Sequence, residues 1–167
     1  MASTQHETDR VVTVERVIPA PSEHIFQLLA DPRRHPDFDG SGMLRGDVRG
    51  PDRLRDGAVF SMGMVQAGQS YRTTNHVVEF VENQVITWET VGLWRGRKVI
   101  GGQRWRYALE PNGPDSTVLR HSYVWGTARL ALITVALPRF PTKMRRTMPQ
   151  TLERIEHLVT NAEHEQA

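Results

Sequence analysis

Two histidines and two tyrosines carry most of the chemistry this sequence offers. Strand alternation puts His76 and His121 on inward faces, with Tyr107 and Tyr123 as candidate proton-donating partners. Histidine serves as base and acid near neutral pH, so these four are the catalytic candidates for proton transfer on an enclosed substrate. A histidine on an apolar face can equally be a hydrogen-bonded core residue, and that alternative stands beside the catalytic one. Other chemistries find little footing. The chain has no cysteine, which excludes disulfides, thiol catalysis and cysteine-ligated zinc. It has no nucleophile elbow, phosphate-binding glycine loop or dinucleotide fingerprint. None of the seven histidines has metal-ligand spacing. Asp37 and Asp39 beside His35 are flanked by Pro36 and Gly40, which reads as a turn rather than a metal cluster. Neither a cofactor nor a metal is therefore expected.

Those candidates must be positioned by strands, and the charged residues identify the outer face of each. On Tyr71–Val81, Glu79 points out, which sends Thr74, His76, Val78 and Phe80 inward. On Val85–Val91, Glu89 marks the outside and leaves Ile86 and Trp88 inside. Arg104 and Arg106 do the same for Val99–Leu109, leaving Gln103, Trp105, Tyr107 and Leu109 inside. On Thr117–Trp125, Arg120 faces out, so Leu119, His121, Tyr123 and Trp125 face in. Ala58–Val65 is ambiguous, with Phe60, Met62 and Met64 forming its more apolar face. Met43–Arg49 and Val11–Ile18 complete seven strand signals, the last six consecutive. Glu82-Asn83-Gln84 reads as a tight hairpin, and Gly101-Gly102 as a bulge or bend.

The remaining elements are helical. Pro21 suits a first helical position, Ile25, Phe26, Leu28 and Leu29 share one face, and Asp31-Pro32 ends that helix. Arg33 to Phe38 forms a second short turn broken by Pro36. Thr147 and Gln150 fit a capping box, after which Leu152, Ile155, Leu158 and Val159 make one apolar stripe. A helix from Thr147 to about Glu163 would be roughly 25 Å long, enough to cross a small sheet.

The opening VVTVERVIPAPSEHIFQLLADPRRHPDFD, followed by six strands and a terminal helix, resembles the START-like superfamily, also called SRPBCC or polyketide cyclase/dehydrase-like. The resemblance covers nearly the whole chain. It implies an α+β helix-grip fold: a curved seven-stranded antiparallel sheet wrapped around a long C-terminal helix, with two short helices after the first strand. One domain spans 1–167, with 1–9 and 161–167 expected to fray.

The inward residues Phe60, Met62, Met64, His76, Trp88 and Gln103 join Trp105, Tyr107, His121, Tyr123 and Trp125 in a surface that is aromatic yet studded with polar groups. A dry core rarely holds so many polar side chains without partners. Either they satisfy one another, or they line a cavity of the composition usual for small-molecule sites. The resemblance favours the cavity and implies a ligand that is a lipid, polyketide or aromatic metabolite. The alternative it implies is a polyketide cyclase or dehydratase-type enzyme using the cavity histidines and tyrosines. Residues 127–141 are strongly apolar, and read either as core or as a flap over the cavity mouth.

Bulk properties exclude several partners. With 38% hydrophobic and 24% charged residues the composition is that of a water-soluble domain. The polar N-terminus lacks a signal h-region, and no apolar run reaches membrane-spanning length. A cytoplasmic location without integral membrane association is expected. The run from Trp94 to Arg106 mixes aromatics with cations, a pattern that serves single-stranded nucleic acid. Strand alternation already accounts for Arg104, Trp105 and Arg106, however, and a net charge of +2 gives no polyanion signal. No nucleic-acid partner is expected.

Overall fold

Alternating apolar residues and glycine-marked turns build a single curved sheet. A computed structural model describes residues 10–66, 68–94, 97–126, 128 and 139–166. Its strands are β1 (Val11–Ile18), β2 (Leu44–Arg49), β3 (Val59–Gln66), β4 (Gln69–Val81), β5 (Val85–Trp94), β6 (Arg97–Pro111) and β7 (Thr117–Val124). All pairs are antiparallel, in the order β1-β7-β6-β5-β4-β3-β2. From β2 onward each strand pairs with the next, so the meander ends beside β1. The chain crosses from one sheet edge to the other only once, between β1 and β2. Helices α1 (Ser22–Ala30) and α2 (His35–Phe38) make that crossing.

Pro21 sits at the N-cap of α1, one residue before the first helical position, with φ −59° and ψ 147°. Ile25, Phe26, Leu28, Leu29 and Ala30 are buried. Asp31 leaves the helical region at ψ 104°, the extended backbone favoured for the residue before Pro32. Its carboxylate then accepts from Arg33 N at 2.9 Å and starts a 3₁₀ turn over Pro32–Arg34.

The terminal helix α3 runs Phe140–Gln166, so it does not begin at a capping box on Thr147. Pro141 lies in the first turn, where proline is tolerated. Thr147 Oγ1 donates back to Lys143 O at 3.0 Å, a bond made inside a helix and not at its start. At about 40 Å, the helix is half again as long as expected. Pro149 consequently falls in the interior, where it removes the hydrogen bond to the Arg145 carbonyl. Pro149 is exposed and free of core packing. Pro149→Ala should therefore stabilise the fold by about 1–3 kcal/mol, read as a higher urea midpoint. An unchanged or lower midpoint would show that the proline shape itself is required.

Register shifts interrupt the pairing at four places among the described residues, between Leu44 and Val48, Val77 and Glu79, Thr90 and Val91, and Gly92 and Leu93, and two of them bear on the inner face. One lies at Gly101-Gly102, both at positive φ, where Gln103 pairs with Thr90 but Gly101 with Val91. The other lies between Val77 and Glu79 in β4. It reverses the alternation, and corrects the expected faces of that strand. Phe80, beyond the bulge, points in and meets Phe26 edge-on at 5.2 Å. Before the bulge it is Asn75 and Val77 that are buried. His76 pairs opposite Glu89 on the other face, and Val78 is 43% exposed. That face carries the expected charges, with Arg104 on Glu89 at 3.2 Å and Arg106 on Glu79 at 3.0 Å.

The described buried side chains form two clusters. The larger joins α1, the sheet and the C-terminal half of α3 around Ile25, Phe26, Phe60, Ile86, Leu152 and Ile155. The smaller holds Val12, Tyr123, Met144 and Met148.

Candidate functional site: a cavity between sheet and terminal helix

Members of both clusters border a cavity of about 320 Å³ between the inner sheet face, α2 and the first half of α3. Its size falls at the lower end of small-molecule sites. The sheet contributes a cross-strand series of rings, because the inward positions of β5, β6 and β7 lie side by side. Trp88 and Tyr107 are 5.6 Å apart, and Tyr107 stacks on His121 at 4.0 Å and 13°. From the helical crossing His35 extends the series, stacked on Trp88 at 4.9 Å and 22°.

Methionine contributes the rest of the apolar wall. Of six methionines in the chain, five line this one cavity: Met43, Met62, Met64, Met144 and Met148. Such a concentration gives a soft, adaptable surface.

Both histidines of the wall are neutral at physiological pH. Burial lowers His35 to about 4. Its Nε2 lies 2.8 Å from Leu29 O, and a carbonyl only accepts, so Nε2 carries the proton and Nδ1 the lone pair. This bond also satisfies one of the carbonyls left open at the end of α1. Burial lowers His121 to about 3. Neither of its ring nitrogens, both closed off from solvent, has a hydrogen-bond partner among the described residues, and Gln103 Oε1 is in the same position. Burial, together with the negative charge of Asp39, raises the Tyr107 phenol, which keeps its proton.

Of the residues proposed from sequence, Met62, Met64, Trp88, Gln103, Trp105, Tyr107 and His121 line the cavity. Four do not. Phe60 lies behind the wall, edge-on to His35 and Trp88. Tyr123 is fully buried beneath Trp105, 4.5 Å away, in the smaller cluster. Trp125 packs against that cluster and under the Arg10 guanidinium. His76 is turned away by the β4 bulge, and with it goes its case as an acid–base group. The flap reading of 127–141 falls mostly outside the described residues. Of its described end, Phe140 lines the cavity.

Sequence reasoning missed His35, Asn75, Thr90 and Asp39. The Asp39 carboxylate is a turn element as expected, accepting from Ser41 N, Met43 N and Leu44 N at 2.9–3.1 Å, yet it also borders the cavity. Thr90 Oγ1 donates to Asn75 Oδ1 at 2.7 Å, both buried in the wall. The β5 alternation that puts Ile86 and Trp88 inside reaches Thr90 on the same face, so the signal was present and only its polar type hid it.

Comparison with solved structures decides the fold. A START superfamily protein from Mycobacterium smegmatis superimposes with a TM-score of 0.66 at 21% identity, over 91% of this chain and 98% of that one. This is the START-like helix-grip fold. The ZhuI aromatase/cyclase from Streptomyces sp. R1128 matches with a TM-score of 0.64 at 15% identity, covering 90% of this chain and 93% of its own. A norcoclaurine synthase point mutant from Thalictrum flavum gives 0.62 at 14%, covering 92% and 95%. No protein-family model matches the chain. By sequence it is similar to the uncharacterised protein Rv0088 of Mycobacterium tuberculosis, 32% identical over 111 residues. That match spans 66% of this chain and 46% of the relative, so the chain covers about half of that protein's length. No helix among the described residues is long and apolar enough to cross a membrane.

Proposed function

We propose that this START-like chain binds a small hydrophobic molecule in the cavity between its sheet and α3. The observation that carries the reading is the wall itself: stacked rings and five methionines around about 320 Å³ of space, with a few polar groups set among them. A close-packed interior would have closed that volume, because voids in cores forfeit dispersion contacts. Native mass spectrometry of protein taken gently from its own host tests it. A non-covalent small-molecule adduct, lost on unfolding and lost in Trp88→Ala, is the expected result. Unliganded protein in every preparation, together with no binding of any apolar probe, would overturn it.

A cyclase or dehydratase-type enzyme is the second reading. It draws on His121 at the cavity wall with Tyr107 stacked on it, and on two structural neighbours whose names are those of enzymes. Proton transfer works best from a group whose pKa lies near the working pH. A ring that burial holds at about 3 is a weak base, and its nitrogens are covered. Binding is therefore placed first.

A further inference from the structure

Most hydrogen-bond acceptors of the described cavity wall are already taken or sealed. The Asp39 carboxylate accepts from three backbone N–H groups, and Asn75 Oδ1 accepts from the Thr90 hydroxyl. Thr151 Oγ1 accepts from Gly40 N at 3.0 Å. Gln103 Oε1 and both His121 nitrogens are closed off.

His35 Nδ1 differs from all of these. The Nε2–H bond to Leu29 O fixes the tautomer, so Nδ1 presents a lone pair. Among the described residues Nδ1 has no partner, yet it is not sealed as the His121 nitrogens are. The residue is 2% exposed and lines the cavity, so the surface that Nδ1 retains lies on the cavity side. Its ring is held by stacking on Trp88 and by Phe60, edge-on at 5.7 Å. A lone pair fixed in this way spares the entropy of ordering a side chain on binding. Burial, which holds the ring at about 4, keeps Nδ1 an acceptor across the physiological range. A molecule with no donor would strand that acceptor at a cost, whereas a donor would satisfy it.

Resting on the binding reading above, we propose that His35 is a specificity-determining residue of the cavity. Its Nδ1 accepts a hydrogen bond from a neutral O–H or N–H group on the bound molecule, and so selects against molecules of the same shape that lack the donor.

Equilibrium dialysis at pH 7.5 with two matched pairs tests this: 2-naphthol against 2-methoxynaphthalene, and indole against 1-methylindole. Each ether or methyl derivative keeps the ring and loses the donor. The donor of a pair should bind about five- to tenfold tighter, the worth of about one net hydrogen bond. His35→Phe keeps a ring and removes the acceptor, and should bring the ratio toward one. A merely structural role would weaken both members of a pair alike and leave the ratio in place. In the parent protein, the nitrogen NMR resonance of His35 Nδ1 should move upfield when 2-naphthol binds and stay in place with 2-methoxynaphthalene. That readout needs no variant to fold. Discrimination in one pair alone supports the inference and names the donor as O–H or N–H. Equal binding within both pairs, a ratio unmoved in His35→Phe, or an Nδ1 resonance that responds alike to both naphthalenes would overturn it while leaving the binding reading intact. If none of the four binds, the inference falls, and the binding reading then rests on the adduct sought above.

Discussion

Lowering the pH from 6.5 to 4.5 is expected to cost the folded protein about 4 kcal/mol through His35 and His121 alone. Burial holds the two rings at about 4 and about 3, whereas in the unfolded chain each titrates near 6.5. Between those values the unfolded chain takes up two protons that the folded chain refuses. Stability is therefore full above the unfolded pKa and falls as the pH drops, at about 1.4 kcal/mol per unit for each ring. The His35 contribution levels off near pH 4, and the His121 contribution continues toward pH 3. Urea midpoints measured from pH 7.5 to 4.5 should show the decline, and His121→Phe should roughly halve its slope. The same variant should be more stable than the parent at pH 7, because it removes two buried nitrogens that lack partners among the described residues. A flat profile, or a variant with the parent's slope, would mean that these rings are hydrated or charged in the folded state.

The second large effect sits at Gly40. A Cβ built there would lie 2.4 Å from Thr147 O and 2.8 Å from Thr151 N, both backbone atoms of α3. Side chains can swing aside from a new methyl group, but a helix backbone cannot do so without moving the helix. The loop is also tied down by Gly40 N donating to Thr151 Oγ1 at 3.0 Å and by Arg154 on the Asp39 carbonyl. Gly40→Ala should destabilise by about 3 kcal/mol or more, the upper range for overpacking. It should weaken probe binding as well, since Asp39, Ser41 and Thr147 border the cavity on either side of the contact. Gly63→Ala is the control, because its Cβ meets Asp47 at an ordinary 3.5 Å. Equal urea midpoints for the two variants would show that α3 is free to shift at this point.

Both predictions depend on residues whose importance is hard to see in the chain itself. His35 lies in a short His-Pro-Asp-Phe turn that carries no helical or strand period. Only the return of the Leu29 carbonyl and the approach of Trp88, more than fifty positions away in sequence, bury it. Gly40 reads as one of two glycines bracketing a turn. Its real constraint comes from a helix over a hundred residues further on. His76 shows the opposite failure. Its face was inferred from Glu79 by strict alternation, and one bulge between Val77 and Glu79 inverted the answer. A bulge without a glycine leaves no mark in composition, whereas Gly101-Gly102 announced theirs.

The helix boundary failed for a related reason. Thr147 and Gln150 have the right types for a capping box, but cap signals compete with tertiary packing. Phe140, Met144 and Met148 follow the helical period into the cavity wall and extend the helix past the local signal. Propensity is a weak prior where burial of an apolar face is available.

Alternation, prolines and turn residues were enough to determine the seven strands, their consecutive order, the two short helices after β1 and the terminal helix. These signals are local: each follows from the preferences of a few adjacent residues and from which of them shun water. They also placed Met62, Trp88, Gln103, Trp105, Tyr107 and His121 on one face. Which of those side chains meet empty space and which meet each other was decided only by the tertiary structure. Sheet curvature, the bulges and the seating of α3 against Gly40 set the distance between the layers. That distance, which is not a property of any one segment, separates a packed core from a cavity.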